Sequence, residues 1–212
     1  VEVSWVKDLD IRLALLTYLQ GLHAADLETL VVEEVNVCQG LSRVDLCVVN
    51  ARLHGYEIKS QRDTLSRLTS QLRDYGRVFD QVTVVIGLKH LTGVLGELPS
   101  WCGIILANWS EGEVTLQLFR EARQNLHRDP YSLAQLLWRE EALAILERHS
   151  CAKGVRSKAR PALWERLAGS LALEDLAEEV REALKARKST WRAAFKKRKR
   201  RTRRRPRRTR AA

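Results

Sequence analysis

The chain has no methionine and only four prolines in 212 residues. A start at Val1 implies either an alternative start codon translated literally or missing first residues. The four cysteines, Cys38, Cys47, Cys102 and Cys151, lie far apart. That spacing excludes a zinc knuckle and reads as reduced, buried thiols in a cytoplasmic protein, with association to the nucleoid compatible. No apolar run is long enough to span a membrane, so no membrane partner is expected. Lys7, Asp8, Asp10 and Arg12 interrupt the region where a signal peptide would be apolar. Acidic residues are missing from 192–210, where thirteen of the 37 basic residues fall. The rest of the chain has 24 basic against 26 acidic residues, so the formal charge of +11 is a property of the tail.

What is present supports a packed α/β domain. Hydrophobic residues make up 45% of the chain, enough for a core at this length. Apolar residues Ile11, Leu15, Leu16 and Leu19 recur at helical spacing over Asp8–Leu22, with Asp8 placed as an N-cap. The β-branched run Leu30–Val37 predicts a first strand. Residues 43–50 alternate around Val44, Leu46 and Val48, and residues 53–60 follow after a tight connection, so a hairpin is expected. Ser60-Gln-Arg-Asp63 has the form of a capping box, and Leu65, Leu68, Leu72 and Tyr75 continue at helical spacing; a helix is expected over 63–75. The continuously apolar residues 79–88 predict a strand buried on both faces, parallel to the preceding one. Residues 101–108 and 114–120 predict two more strands, turning at Glu111-Gly112. Lys89, His90 and Arg120 read as exposed cations.

Beyond the strands, a helix is expected over 132–149, with Trp138 beside its buried stripe. Residues 151–160 read as a basic linker, and 161–169 and 173–187 as two closing helices. The organisation is a core over 1–125, a helical extension over 126–188 and an Arg-rich tail over 189–212. The extension offers a docking surface for a protein partner. The tail has almost nothing apolar beyond Trp191 and Phe195, so it is expected to be disordered alone. Its run Lys196, Lys197, Arg198, Lys199, Arg200, Arg201, Arg203, Arg204 and Arg205 suits the phosphate backbone of nucleic acid, giving affinity without sequence readout.

The chemistry-bearing residues cluster between positions 43 and 75. In a strand, residues two apart share a face, so Glu57 and Lys59 point one way and Ile58 the other. Asp45 joins them if the two strands of the hairpin are adjacent. Two carboxylates and an ammonium on one spot suit metal-assisted phosphodiester cleavage, because Mg²⁺ and Mn²⁺ take oxygen ligands and the ammonium stabilises negative charge. A structural alternative is an ion pair from Asp45 to Arg43 or Arg52 on the surface. Gln71 and Tyr75 are four apart and share a helical face; Tyr75 also falls on the apolar stripe, where it can be a core aromatic.

Asp45, then Glu57-Ile58-Lys59, then Gln71-Leu-Arg-Asp-Tyr75 resembles the PD-(D/E)XK nuclease signature, in particular its RecB-like branch with a Q-x-x-x-Y motif. The fuller string is also similar to an uncharacterised bacterial family assigned to that fold. Val44 stands where the signature often has proline. The resemblance implies a restriction-endonuclease-like mixed sheet flanked by helices, with the helical extension appended. It implies a Mg²⁺- or Mn²⁺-dependent deoxyribonuclease acting in repair, defence or mobile-element biology, with DNA as partner and RNA not excluded. By residue, it implies Asp45 and Glu57 as metal ligands joined by the Ile58 carbonyl, Lys59 as the catalytic lysine, and Gln71 and Tyr75 lining the site. It also implies an acidic ligand before the first core strand pair, for which Glu34 is the choice and Glu33 the alternative. Some RecB-like members hold an iron–sulfur cluster on grouped cysteines, a grouping absent here. A catalytically inactive DNA-binding accessory protein of the same fold is the alternative function.

Overall fold

The computed structural model describes residues 8–110 and 112–187. The basic tail, and with it the expectation of a disordered nucleic-acid grip, lies outside the described residues. Six strands form one sheet in strict chain order: β1 (Leu30–Val37), β2 (Ser42–Val49), β3 (Leu53–Lys59), β4 (Gln81–Gly87), β5 (Gly103–Ser110) and β6 (Glu113–Arg120). The first three run as an antiparallel meander, β3, β4 and β5 are parallel, and β6 returns antiparallel. The protein is therefore α/β, a mixed sheet flanked by helices with a helical C-terminal region.

Each face of the sheet carries its own core. Helix α1 (Asp8–Leu22) buries Ile11, Leu15 and Leu19 on one face, against Leu46, Val48, Tyr56, Ile58, Val85 and Ile105. The other face carries the larger core. Helix α2 (Leu68–Gly76) covers it with Leu68, Leu72 and Tyr75, and the C-terminal helices α4 (Pro130–Ala134), α5 (Arg139–Arg148), α6 (Arg160–Ser170) and α7 (Leu173–Ala186) complete it. Between β4 and β5 lies a short helix α3 (Leu91–Glu97) that sequence periodicity does not reveal. Gly55 on β3 allows close packing of this face: a Cβ there would meet the Phe79 ring at 3.0 Å.

Two expected helices differ from the structure. The residues before Leu68 are not helical, because Asp63 closes the capping motif on itself. Its Oδ2 accepts from the Ser60 amide at 2.7 Å and the Ser60 hydroxyl at 2.6 Å, making a turn that ends there. The single helix expected over 132–149 is two. Asp129 caps α4 through the Ser132 amide at 3.0 Å with Pro130 at its first turn, and α5 starts afresh where Glu141 accepts from the Trp138 amide at 2.7 Å. Trp138 consequently lies outside the buried stripe and is half-exposed, with the Arg187 guanidinium 4.1 Å above its ring. His90 is buried rather than exposed, its Nε2 2.9 Å from the Ser60 carbonyl. Of the four thiols, Cys38, Cys47 and Cys102 are buried and Cys151 is half-buried. Among the described residues, no helix is long and apolar enough to cross a membrane.

Candidate active site

The strand pattern breaks at one place, and the site is built there. On β2, Val44 belongs to the larger core and Leu46 to the smaller, although residues two apart normally share a face. On β1, Val32 and Val35 are three apart and share the larger core. Between them Glu34 takes a φ of 57°, and the register passes from Glu33↔Leu46 to Val35↔Val44 without pairing Glu34 to Asp45. This matched irregularity is bulge-like: it re-aims side chains at the edge of the regular ladder. The β2–β3 ladder also ends at Leu46↔Tyr56, one step short of Asp45 and Glu57. Asp45 fills the gap, its Oδ2 accepting from the Ile58 amide at 2.8 Å. A bond-exchanging strand residue turns its N–H and C=O to the same neighbour, so the Ile58 carbonyl faces the Asp45 side.

Glu57 and Lys59 project from the opposite face to Ile58, beneath α2. Lys59 Nζ lies 2.7 Å from Glu57 Oε1 and 2.8 Å from Gln71 Oε1. The Gln71 amide donates back to Glu57 Oε1 at 2.7 Å, and the Tyr75 hydroxyl sits 2.6 Å from Glu57 Oε2 and 2.9 Å from the Arg43 carbonyl. Tyr75 combines a core ring with a polar tip. Its ring is buried edge-on to Phe79, and its hydroxyl is part of the polar cluster. The structure thus brings Asp45, Glu57, Ile58, Lys59, Gln71 and Tyr75 into one contiguous set.

Burial pushes the Glu57 pKa up, and repulsion from Asp45 raises it further, against the pull of Lys59 and Tyr75. The Tyr75 hydroxyl is likewise pushed up, first by burial and then by Glu57. The two carboxylates repel each other. Among the described residues, no three His, Cys, Asp or Glu side chains gather as a ready ligand cage.

Sequence reasoning missed the second cation. Arg12 of α1 is buried; its Nη2 bonds the Asp45 carboxylate, and its Nη1 donates to the Asp45 backbone oxygen at 3.1 Å. Asp45 thus pairs with neither Arg43 nor Arg52. The only sequence signal was a charged residue next to Ile11 on the buried side of an apolar helix. Arg12 Nη1 also lies 4.0 Å from Glu33 Oε2, whereas Glu34 pairs with the exposed Arg43 at 3.5 Å. Both β1 acids act on Arg12: Glu33 lies within ion-pair distance and Glu34 adds its attraction.

A family model for bacteriophage P4 protein cII matches residues 4–210. Protein cII of Enterobacteria phage P4 is 23% identical over 184 residues, which cover 86% of this chain and 68% of that protein. Among solved structures, the SPO1766 protein of unknown function from Silicibacter pomeroyi matches with 18% identity and a TM-score of 0.39, covering 65% of this chain and 87% of that one. Because the family match runs through nearly all of the sequence, the chain belongs to the bacteriophage P4 protein cII family.

Proposed function

We propose that this chain is a metal-dependent nuclease that hydrolyses phosphodiester bonds in DNA, with Asp45, Glu57 and Lys59 at its reaction centre and the PD-(D/E)XK resemblance as its kinship. The supporting observation is the junction of two carboxylates with an ammonium at the place where β2 and β3 part. Like charges are costly to bury together, so their juxtaposition is expected where a cation is to be held.

The donors suit Mg²⁺ or Mn²⁺: Asp45 and Glu57 supply hard carboxylate oxygens, the Ile58 carbonyl faces the same gap, and Mg²⁺ is commonly held by one or two carboxylates plus water. When bound, such a cation supplies charge neutralisation and makes water a better nucleophile. The protein's own groups do the rest. Lys59 has three N–H donors and spends two on Glu57 and Gln71. Its positive charge stabilises the negative charge that develops on the phosphate. Gln71 bridges Lys59 and Glu57 and fixes their separation. Tyr75 holds the second Glu57 oxygen in place.

The test is cleavage of linear, circular, single-stranded and branched DNA with Mn²⁺, using wild type and Glu57→Ala in parallel, with an RNA arm for the alternative substrate. Cleavage lost in the variant supports the proposal. Cleavage that persists unchanged in Lys59→Ala overturns the assignment. A second reading is a DNA-binding accessory protein without turnover. It is favoured by the burial of Glu57 and by the three protein donors already on its oxygens. DNA bound but not cut by wild type, with every metal and substrate tried, would select it.

A further inference from the structure

We propose that Arg12 is the built-in counter-cation of this site: it holds Asp45 in the metal-free protein and competes there with a divalent cation. The inference rests on the nuclease reading and concerns what sets the metal affinity of the same site. Arg12 is only 8% exposed, although arginine is rarely buried without a partner. Its guanidinium bonds Asp45, stands 3.5 Å from Asp8 Oδ2 and 4.0 Å from Glu33 Oε2, and feels the charge of Glu34 as well. On the Asp45 carboxylate, Arg12 holds Oδ1 and the Ile58 amide holds Oδ2. Each oxygen keeps a second lone-pair direction, but with a donor on both and a positive charge on one of those donors the carboxylate is a weaker metal ligand while Arg12 stays. The Ile58 amide is fixed in the backbone, whereas the guanidinium stands at the end of a long side chain.

Arg12 also has somewhere to go. Asp8 is one helical turn earlier on α1, and its side chain is half-exposed. A guanidinium that moves from Asp45 to Asp8 keeps an ion pair and regains water. The exchange therefore replaces one monovalent cation by a divalent one on Asp45, the carboxylate that also repels Glu57. It costs a charge-assisted hydrogen bond, one of the stronger contacts in a protein. The wild-type protein thus binds metal more weakly than its donor set alone would allow.

The experiment is Mn²⁺ titration of the full chain, followed by calorimetry and by the loss of the free-ion paramagnetic resonance signal, with no substrate present. Arg12→Gln is expected to bind Mn²⁺ about tenfold more tightly than wild type, equivalent to about 1.4 kcal/mol. Arg12→Lys, which keeps the charge but not the fork, should fall between them. Asp8→Asn removes the second perch and should weaken binding about threefold, a difference of less than about 1 kcal/mol. It keeps the test available if Arg12→Gln does not fold, which circular dichroism would reveal. Equal affinity in wild type, Arg12→Gln and Asp8→Asn overturns the role of Arg12 and leaves the metal site standing. Binding that also survives Glu57→Gln places the ion elsewhere and overturns both. No binding by any folded variant removes the metal-dependent reading, and this proposal with it.

Discussion

Among the described residues, two of the buried ion clusters that join distant parts of the chain are built on opposite principles. At the start of β4, Asp80 faces Arg128 at 2.7 Å, both side chains 5% exposed, and Arg128 also bonds Glu174 on α7. Asp80 accepts from the Leu53 amide at 2.7 Å as well, so this cluster ties the β3–β4 region to the helical extension. Its single deeply buried carboxylate meets a single guanidinium. At the β2–β3 gap, by contrast, Asp45 and Glu57 lie close enough to raise the Glu57 pKa, and two cations come from separate elements to answer them. A cluster that only fastens the fold has no need to set like charges together. The one at the gap does so, with Lys59 held between Glu57 and Gln71.

The contrast can be broken by mutation. On the proposed nuclease reading, Lys59→Ala should reduce cleavage by about 10²–10³-fold, the usual loss of a transition-state donor, while circular dichroism stays unchanged. Burial and Asp45 already push the Glu57 pKa up, and loss of the ammonium removes one of the attractions that oppose them. Arg128→Ala should do the reverse, lowering unfolding free energy by about 3–5 kcal/mol in urea because it strands Asp80 inside. If Lys59→Ala destabilises as much as Arg128→Ala, the two clusters are of one kind and the distinction fails. Tyr75→Phe sharpens it. Loss of the hydroxyl should cost about 1–3 kcal/mol of stability, and cleavage should fall too, because Glu57 loses a partner.

A smaller effect comes from a polar group off the gap. His54 Nε2 lies 2.8 Å from Thr83 Oγ1, and its ring stacks on Tyr56. Burial lowers its pKa to about 3. A depressed folded-state value means that the stability is intact above the unfolded pKa of about 6.5 and is lost as pH falls towards 3. Between pH 6.5 and 5 the wild type should lose about 1–2 kcal/mol in urea titrations through this group, a slope that His54→Gln flattens. The smallest effect should be at the surface, where Glu179 bonds Arg148 and lies 2.8 Å from His149. Glu179→Gln should cost less than about 1 kcal/mol.

The legible parts of the site were the local ones. Asp45, Glu57, Lys59, Gln71 and Tyr75 lie within about thirty residues on a hairpin and the helix after it, where period-2 and period-3.6 patterns place side chains directly. The bulge at Glu34 and Asp45 was not legible, because neither residue is a glycine and nothing in the pattern marks a positive φ. Arg12 and Arg128 escaped for another reason. Their partners Asp45 and Asp80 are 33 and 48 residues away, and only the packed sheet brings them together. His90 looked like any surface histidine until the Ser60 turn gave it a carbonyl. The over-long helices came from reading apolar spacing past side chains that cap the backbone, Asp63 in one case and Glu141 in the other.

The amide of Ile58 gives the site its own reporter. Inside the regular ladder an amide proton is held by a neighbouring strand and answers only to unfolding of the sheet. This proton is held by the Asp45 carboxylate instead. Its chemical shift and its exchange with solvent therefore follow the charge and position of that one side chain. A single backbone resonance, read without any substrate, would register whatever takes hold of Asp45.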